Sequence, residues 1–172
     1  MTIASVNLGR QLFFDKRLSG DGTISCANCH KATSGFADGA TKSLGVDGAL
    51  GFRNSGALAN VAYLPYFNRD GGVRSLDVFS AVPIEDEDEM HHNIRILAHQ
   101  LQGDDYYQYQ AKGIYNRPID AFVITRALGS YLRTFVYLTL NLKIMDCILT
   151  TLAKIEEESA SHWTVWIVEN LE

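Results

Sequence analysis

Ser25-Cys26-Ala27-Asn28-Cys29-His30 is the stretch that decides how this chain is read. Cys26 to His30 spell C-x-x-C-H, the spacing of a c-type haem attachment site. Haem offers two vinyl groups for thioether formation and an iron that takes a strong axial nitrogen ligand. On a short helix, residues three and four apart share a face, so Cys26, Cys29 and His30 can converge on one edge and one side of a macrocycle. The spacing makes Cys26 and Cys29 the covalent anchors and His30 the axial ligand of the iron. Ser25 has the chemistry of an N-cap for that turn, and Ser34-Gly35 that of its stop.

Two other readings of the motif stay open at this level. A redox C-x-x-C belongs in a thioredoxin-like βαβ context, but Ile24 stands among Gly22, Thr23 and Ser25 with no strand pattern before it. A zinc-stabilised binding module would need two further ligands from Cys147, His91, His92, His99 or His162. None of these has a paired spacing. With three cysteines there is no disulfide framework, and Cys147 reads as a buried or idle thiol.

Outward from the motif, 172 residues suit one domain. Fifteen Lys and Arg against twenty Asp and Glu give a net charge of −5, which excludes the basic balance that tracks nucleic acid. Hydrophobic residues make up 47% and charged residues 20%, enough apolar side chains for one real core. Arg126 and Arg133 interrupt the longest apolar segment, so no membrane span is expected. Met1 to Arg10 carry no export signal, which taken alone points to the cytoplasm.

Periodicity gives a mainly α class with long loops. Leu8, Leu12 and Phe13 mark a helix over residues 8–14. From Asp15 to about Asn60 the chain is rich in Gly, Ser, Asp and Asn and reads as loop wrapped around the haem. Leu76, Phe79 and Val82 mark a short helical turn. Ile94, Leu97, Ala98 and Leu101 define a helix over 91–102 ending at Gly103, and Ile124, Leu128, Tyr131, Leu132 and Phe135 a further one opening near Pro118 and Asp120. Leu142, Met145, Leu149 and Leu152 give the tail, residues 137–172, helical spacing.

Several ordered motifs resemble the N-terminal haem domain of bacterial di-haem cytochrome c peroxidases and of their relatives that mature tryptophylquinone enzymes. They are Leu8-Gly9-Arg10-Gln11-Leu12-Phe13-Phe14-Asp15-Lys16-Arg17-Leu18-Ser19, Ser25 to His30, Phe36-Ala37-Asp38-Gly39, Ser43-Leu44-Gly45, Arg53-Asn54 and Leu58-Ala59-Asn60, then Pro83 with Glu89-Met90, and Ser130 to Phe135. The resemblance implies an N-terminal peroxidatic cytochrome c domain over residues 1–136. It implies a covalent haem c on Cys26 and Cys29 with His30 beneath the iron, Pro83 shaping the distal pocket, Glu89 as acid/base, and Asn60 as one ligand to a calcium. It further implies hydrogen peroxide as substrate, a small electron donor of cytochrome c or cupredoxin type, and the periplasm, where the motif outweighs the missing signal if the start codon lies further upstream.

The departures from the family pattern carry information too. Val46 stands where members needing reductive activation have a distal His, which implies an open sixth position on the iron. Phe79 replaces a Gln, and Arg69 a Trp that serves as a stepping stone between haems. Residues 137–172 match nothing in the family and have no second C-x-x-C-H, so the tail is expected to be a truncated or frameshifted second domain. Resequencing the locus would refute the frameshift if no haem motif lay downstream in another frame.

Glu89 follows Glu85-Asp86-Glu87-Asp88, and crowding of like charges is expected to raise its pKa toward a proton-shuttling range. The plainer reading of that run is a solvated acidic face leading into the next helix. Met90, His91 or His92 could instead take the sixth position, which would make a one-electron carrier cytochrome rather than a peroxidase.

Overall fold

The computed structural model describes residues 1–68 and 71–136, all of which fall within one compact unit. Its α-helices are α1 (Ile3–Phe14), α2 (Cys26–Cys29), α3 (Leu76–Phe79), α4 (Val82–Glu85), α5 (Ile94–Gln102), α6 (Asp105–Tyr115) and α7 (Ala121–Leu132). Among the described residues there is no sheet, only isolated bridges such as Lys31 with Ala37 and Leu44 with Leu50. No described helix is long and apolar enough to cross a membrane.

The core is a helix pair with others leaning on it. α1 packs chiefly against α7, burying Leu8, Leu12 and Phe13 against a face that includes Val123, Ile124, Ala127 and Leu128. Helix α1 begins five residues before the apolar pattern expected at Leu8, because Thr2 and Ser5 cap it reciprocally: each backbone N–H donates to the other's hydroxyl oxygen, at 2.9 and 3.1 Å. Helix α5 starts at Ile94 rather than at residue 91, where the Asn93 side chain accepts from Arg95 and Ile96 N–H. The acidic run therefore does not sit on the N-terminus of α5. The turn expected near Leu76 is two helices, α3 and α4.

Helix α6 was not legible from apolar spacing, since Tyr and Gln fill most of its length. Asp104 caps it, accepting from Tyr106 and Tyr107 N–H. Its Tyr107 hydroxyl donates to Asp15 at 2.8 Å, and Arg17 bridges Asp15 and Asp104 while covering the Tyr107 ring. Burial pushes the Asp15 carboxyl up, but hydrogen bonds from Arg17 and Tyr107 outweigh it and hold the pKa below the ordinary value. The Asp15-Lys16-Arg17 run thus fastens the end of α1 to the start of α6.

Asp77 does comparable work on the opposite side. It is buried in α3 and receives Arg126 of α7 at 2.7 Å and Arg133, just past α7, at 2.6 Å. Loss of a fully buried partner costs about 3–5 kcal/mol, but here both guanidiniums reach solvent, which lowers the penalty. Asp77→Ala is expected to destabilise the chain by about 2 kcal/mol in urea unfolding.

Candidate haem site

The Cys26–His30 segment folds as one turn of helix closed by His30, whose N–H donates to the Cys26 carbonyl at 3.0 Å. Asn28 fixes its start: its side-chain oxygen accepts from both the N–H and the hydroxyl of Ser25, each at 3.0 Å. The turn stops at Cys29 instead of running to Ser34-Gly35. Those residues belong to a separate 3-10 turn, with Gly35 left-handed at its end.

The His30 ring decides what the site can hold. Its Nδ1 lies 2.8 Å from the Phe36 carbonyl oxygen, and a carbonyl can only accept, so the proton is on Nδ1. Nε2 is left with its lone pair, the form in which imidazole binds a metal. Burial lowers the His30 pKa, with the Phe36 carbonyl, the Asp38 charge and the Gly56 backbone opposing it, and so favours that neutral form. Phe36 is placed by a left-handed backbone (φ 60°) and by stacking on Phe135 at 3.9 Å between centroids.

Cys26 and Cys29 are both free thiols. Burial pushes the Cys26 thiol up to about 12 and raises Cys29 as well, whereas a redox-active C-x-x-C keeps its attacking thiol acidic. Among the described residues, no three His, Cys, Asp or Glu side chains are gathered as a single metal ion would require. Two free thiols and one oriented imidazole suit a ligand that takes sulfur at its edge and nitrogen at its centre, and the donor set therefore fits haem. Cys147 and His162 lie outside the described residues.

A polar network that the sequence did not announce holds this turn in place. Ser55 donates from its hydroxyl to the Cys29 carbonyl at 2.9 Å and accepts from Asp38 N–H at 2.9 Å; its own N–H donates to Ser43 Oγ at 2.7 Å, and Ser43 donates to Asp38 at 2.6 Å. Ser43 and Asp38 belong to recognised motifs. Ser55 carries no such signal, being one serine in a loop.

Glu89 is tied to the loop that passes the haem motif: Cys29 Sγ lies 4.0 Å from the Leu44 carbonyl oxygen, and the Val46 N–H two residues on donates to the Glu89 carbonyl. Its carboxyl remains open to water, yet enough protein surrounds it that desolvation raises its pKa, with a smaller contribution from Asp86. The direction agrees with the sequence argument; the order of causes does not. Pro83 occupies the second position of α4, where no N–H is needed, and its carbonyl accepts from Met90 N–H at 3.1 Å. Val46 is buried and its N–H donates to the Glu89 carbonyl at 2.9 Å.

The other residues singled out by sequence are placed as follows. Met90 is buried in the hydrophobic core, and His92 meets the Gln100 side chain at 3.1 Å. His91 and His99 are exposed. Phe79 stacks on Phe67. Asn60 is left-handed (φ 58°) and exposed, and its N–H donates to the Phe135 carbonyl at 2.7 Å. Arg69 lies outside the described residues.

Comparison with known proteins places this arrangement among relatives. The family described as di-haem cytochrome c peroxidase matches residues 3–140. The methylamine utilization protein MauG of Methylorubrum extorquens is 33% identical over 138 residues, covering 79% of this chain and 39% of the relative. A cytochrome-c peroxidase of Denitromonas iodatirespirans is 32% identical, covering 76% and 36%. Among solved structures, a MauG-like protein associated with microbial copper homeostasis superposes with a TM-score of 0.73 at 28% identity, over 80% of this chain and 42% of that one. The diheme peroxidase BthA of Burkholderia thailandensis, at 24% identity and a TM-score of 0.68, shares the fold. The chain thus spans roughly two fifths of the length of the curated relatives it matches.

Proposed function

Because the chain belongs to the di-haem cytochrome c peroxidase family, we propose that it is a c-type haem oxidoreductase that reduces hydrogen peroxide. Cys26 and Cys29 would hold the haem covalently and His30 Nε2 would ligate its iron; the bound haem supplies the redox centre at which the O–O bond is reduced. The observation that carries the reading is the His30 Nδ1 contact with the Phe36 carbonyl, which puts the ring proton on Nδ1 and makes Nε2 the nitrogen able to take a metal, one residue from a free Cys29 thiol.

The chemistry left to the protein is a proton transfer. Reduction of H2O2 to two waters consumes two electrons and two protons. The Glu89 carboxylate accepts a proton from one peroxide oxygen and delivers it to the other, which then departs as water. Partial desolvation of the carboxyl supports this role, because a raised pKa makes Glu89 a better base when ionised and a readier holder of the proton it moves. Val46 offers no ligand to the iron, and the core position of Met90 and the Gln100 contact of His92 count against those two as sixth ligands, which leaves His91 to carry the one-electron-carrier alternative.

The electrons come from a small redox protein of cytochrome c or cupredoxin type, and the working compartment is the periplasm, where cytochromes c mature. Residues 1–136 act as the peroxidatic domain. Asn60 supplies one oxygen of the roughly six to eight that a calcium takes; its backbone bond to Phe135 joins that position to the His30 side of the site.

Expression with a haem-maturation system followed by absorption spectroscopy tests the reading. A high-spin ferric spectrum that changes on adding peroxide is expected. A low-spin spectrum inert to peroxide would establish the carrier instead, and a haem-free chain holding stoichiometric zinc the binding module.

A further inference from the structure

We propose that Gly20 and Gly45 are positioning residues for Glu89, two notches that grip the backbone on either side of it and so fix where its carboxyl stands. The inference rests on the reading of Glu89 as the proton carrier. Its basis is a pair of close approaches that only glycine permits. A Cβ on Gly45 would lie 2.1 Å from the Asp88 carbonyl oxygen and 2.6 Å from that of Glu89. One on Gly20 would lie 2.2 Å from the His91 carbonyl oxygen. All three obstacles are backbone atoms, so no side chain can swing aside to make room.

Each notch carries one hydrogen bond. Val46 N–H, next to Gly45, donates to the Glu89 carbonyl at 2.9 Å, and Gly20 N–H donates to the Met90 carbonyl at 2.8 Å. The gripped segment is also closed on itself. Glu89 N–H and His91 N–H both donate to the Asp86 carbonyl, Met90 N–H to Pro83, and His92 N–H to Ile84. The result is two loops, residues 19–23 and 45–47, each bonded to the backbone of the segment 86–92 that carries Glu89.

This arrangement addresses a specific difficulty. Glutamate has three side-chain torsions, and proton transfer across a peroxide demands a carboxyl placed to within a fraction of an ångström; an error of about 1 Å can cost on the order of 100-fold in rate. Glu89 follows a four-residue helix, too short to fix it. The loop that carries the haem motif and the loop that carries Val46 supply the rigidity that α4 lacks. Gly20 precedes Cys26 by six residues, so the same loop leads directly to the thioether anchors.

The test uses the haem-bearing full chain with Gly45→Ala, Gly20→Ala and Val46→Pro, each made alone and with Glu89→Gln. Val46→Pro removes the N–H donor at the first position of a 3-10 turn, where the φ of proline is accommodated, replaces the buried Val side chain and sets Cδ against the Glu89 carbonyl, so it breaks the same grip without adding a Cβ at Gly45. Gly113→Ala in α6, whose Cβ would meet nothing within 4 Å, is the control. In Gly45→Ala the Val46 amide should exchange at least ten times faster, and the peroxide reaction should slow by about 100-fold with the haem spectrum unchanged. In the Glu89→Gln background the same substitutions should cost no further rate, whereas a merely structural role would subtract its cost again. Additive losses, or a freed Val46 amide with full activity, would overturn the inference. If Glu89→Gln alone left the rate intact, the proton-carrier reading would fall first, and that arm shows which of the two failed.

Discussion

Glu89→Gln should slow the reaction of the haem-bearing chain with hydrogen peroxide by a factor of about 10² to 10⁴, the range lost with a positioned acid/base, while the haem spectrum stays as it was. Gln keeps the shape and the hydrogen-bonding oxygen but neither accepts nor releases a proton at the carboxyl. In the unaltered chain the rate should fall as pH drops through the Glu89 pKa, because the first step needs the ionised carboxylate. Burial, then Asp86, places that inflection above the ordinary value of 4.5, and Asp86→Asn should shift it downward. Stopped-flow rates across pH measure both.

Stability should move the other way. A carboxyl whose pKa is raised on folding favours the protonated form, so the native state loses stability as pH rises from the unfolded value toward the folded one. Glu89→Gln removes that cost above the window and should leave the chain as stable as before, or more so. A side chain retained against stability while carrying activity is the pattern expected of a working group. Equal peroxide rates in the two proteins would eliminate Glu89 as the proton carrier.

The second large effect concerns attachment. With Cys26 and Cys29 both replaced by Ala, mass spectrometry of the matured product should find the bare polypeptide, and the peroxide reaction should vanish with the cofactor. Each single substitution should retain one thioether. His30→Ala should keep the full haem mass, because both anchors remain, but lose the axial imidazole and shift the absorption spectrum. Haem mass persisting in the double variant would show that the two sulfurs are not its tether.

Much of the site was legible because its chemistry is local. Cys26, Cys29 and His30 announce themselves by spacing alone, and the structure adds that the Phe36 carbonyl fixes the ring proton on Nδ1. The motif runs were readable as resemblance before their physical use was visible: Arg17 ties Asp15 to Asp104, Arg133 reaches Asp77, and Phe135 receives the Asn60 amide. Helix α6 escaped because its buried face is Tyr107 and Ala111 within a polar, tyrosine-rich stretch, so apolar period carried little signal. Ser55 escaped because its partners, Asp38, Ser43 and Cys29, are 12 to 26 positions away. The cause of the Glu89 shift was misjudged for a related reason: a run of acids is visible in sequence, while the loops that fold over one of them are not.

The stacked pair of Phe36 and Phe135 has a mechanical meaning. Phe36 gives its carbonyl to His30 while its ring lies flat on Phe135, which directly follows α7 and receives Asn60. The residue whose carbonyl orients the imidazole is thus also the residue that packs on the end of α7, and a displacement of Phe135 would reach the His30 ring through Phe36.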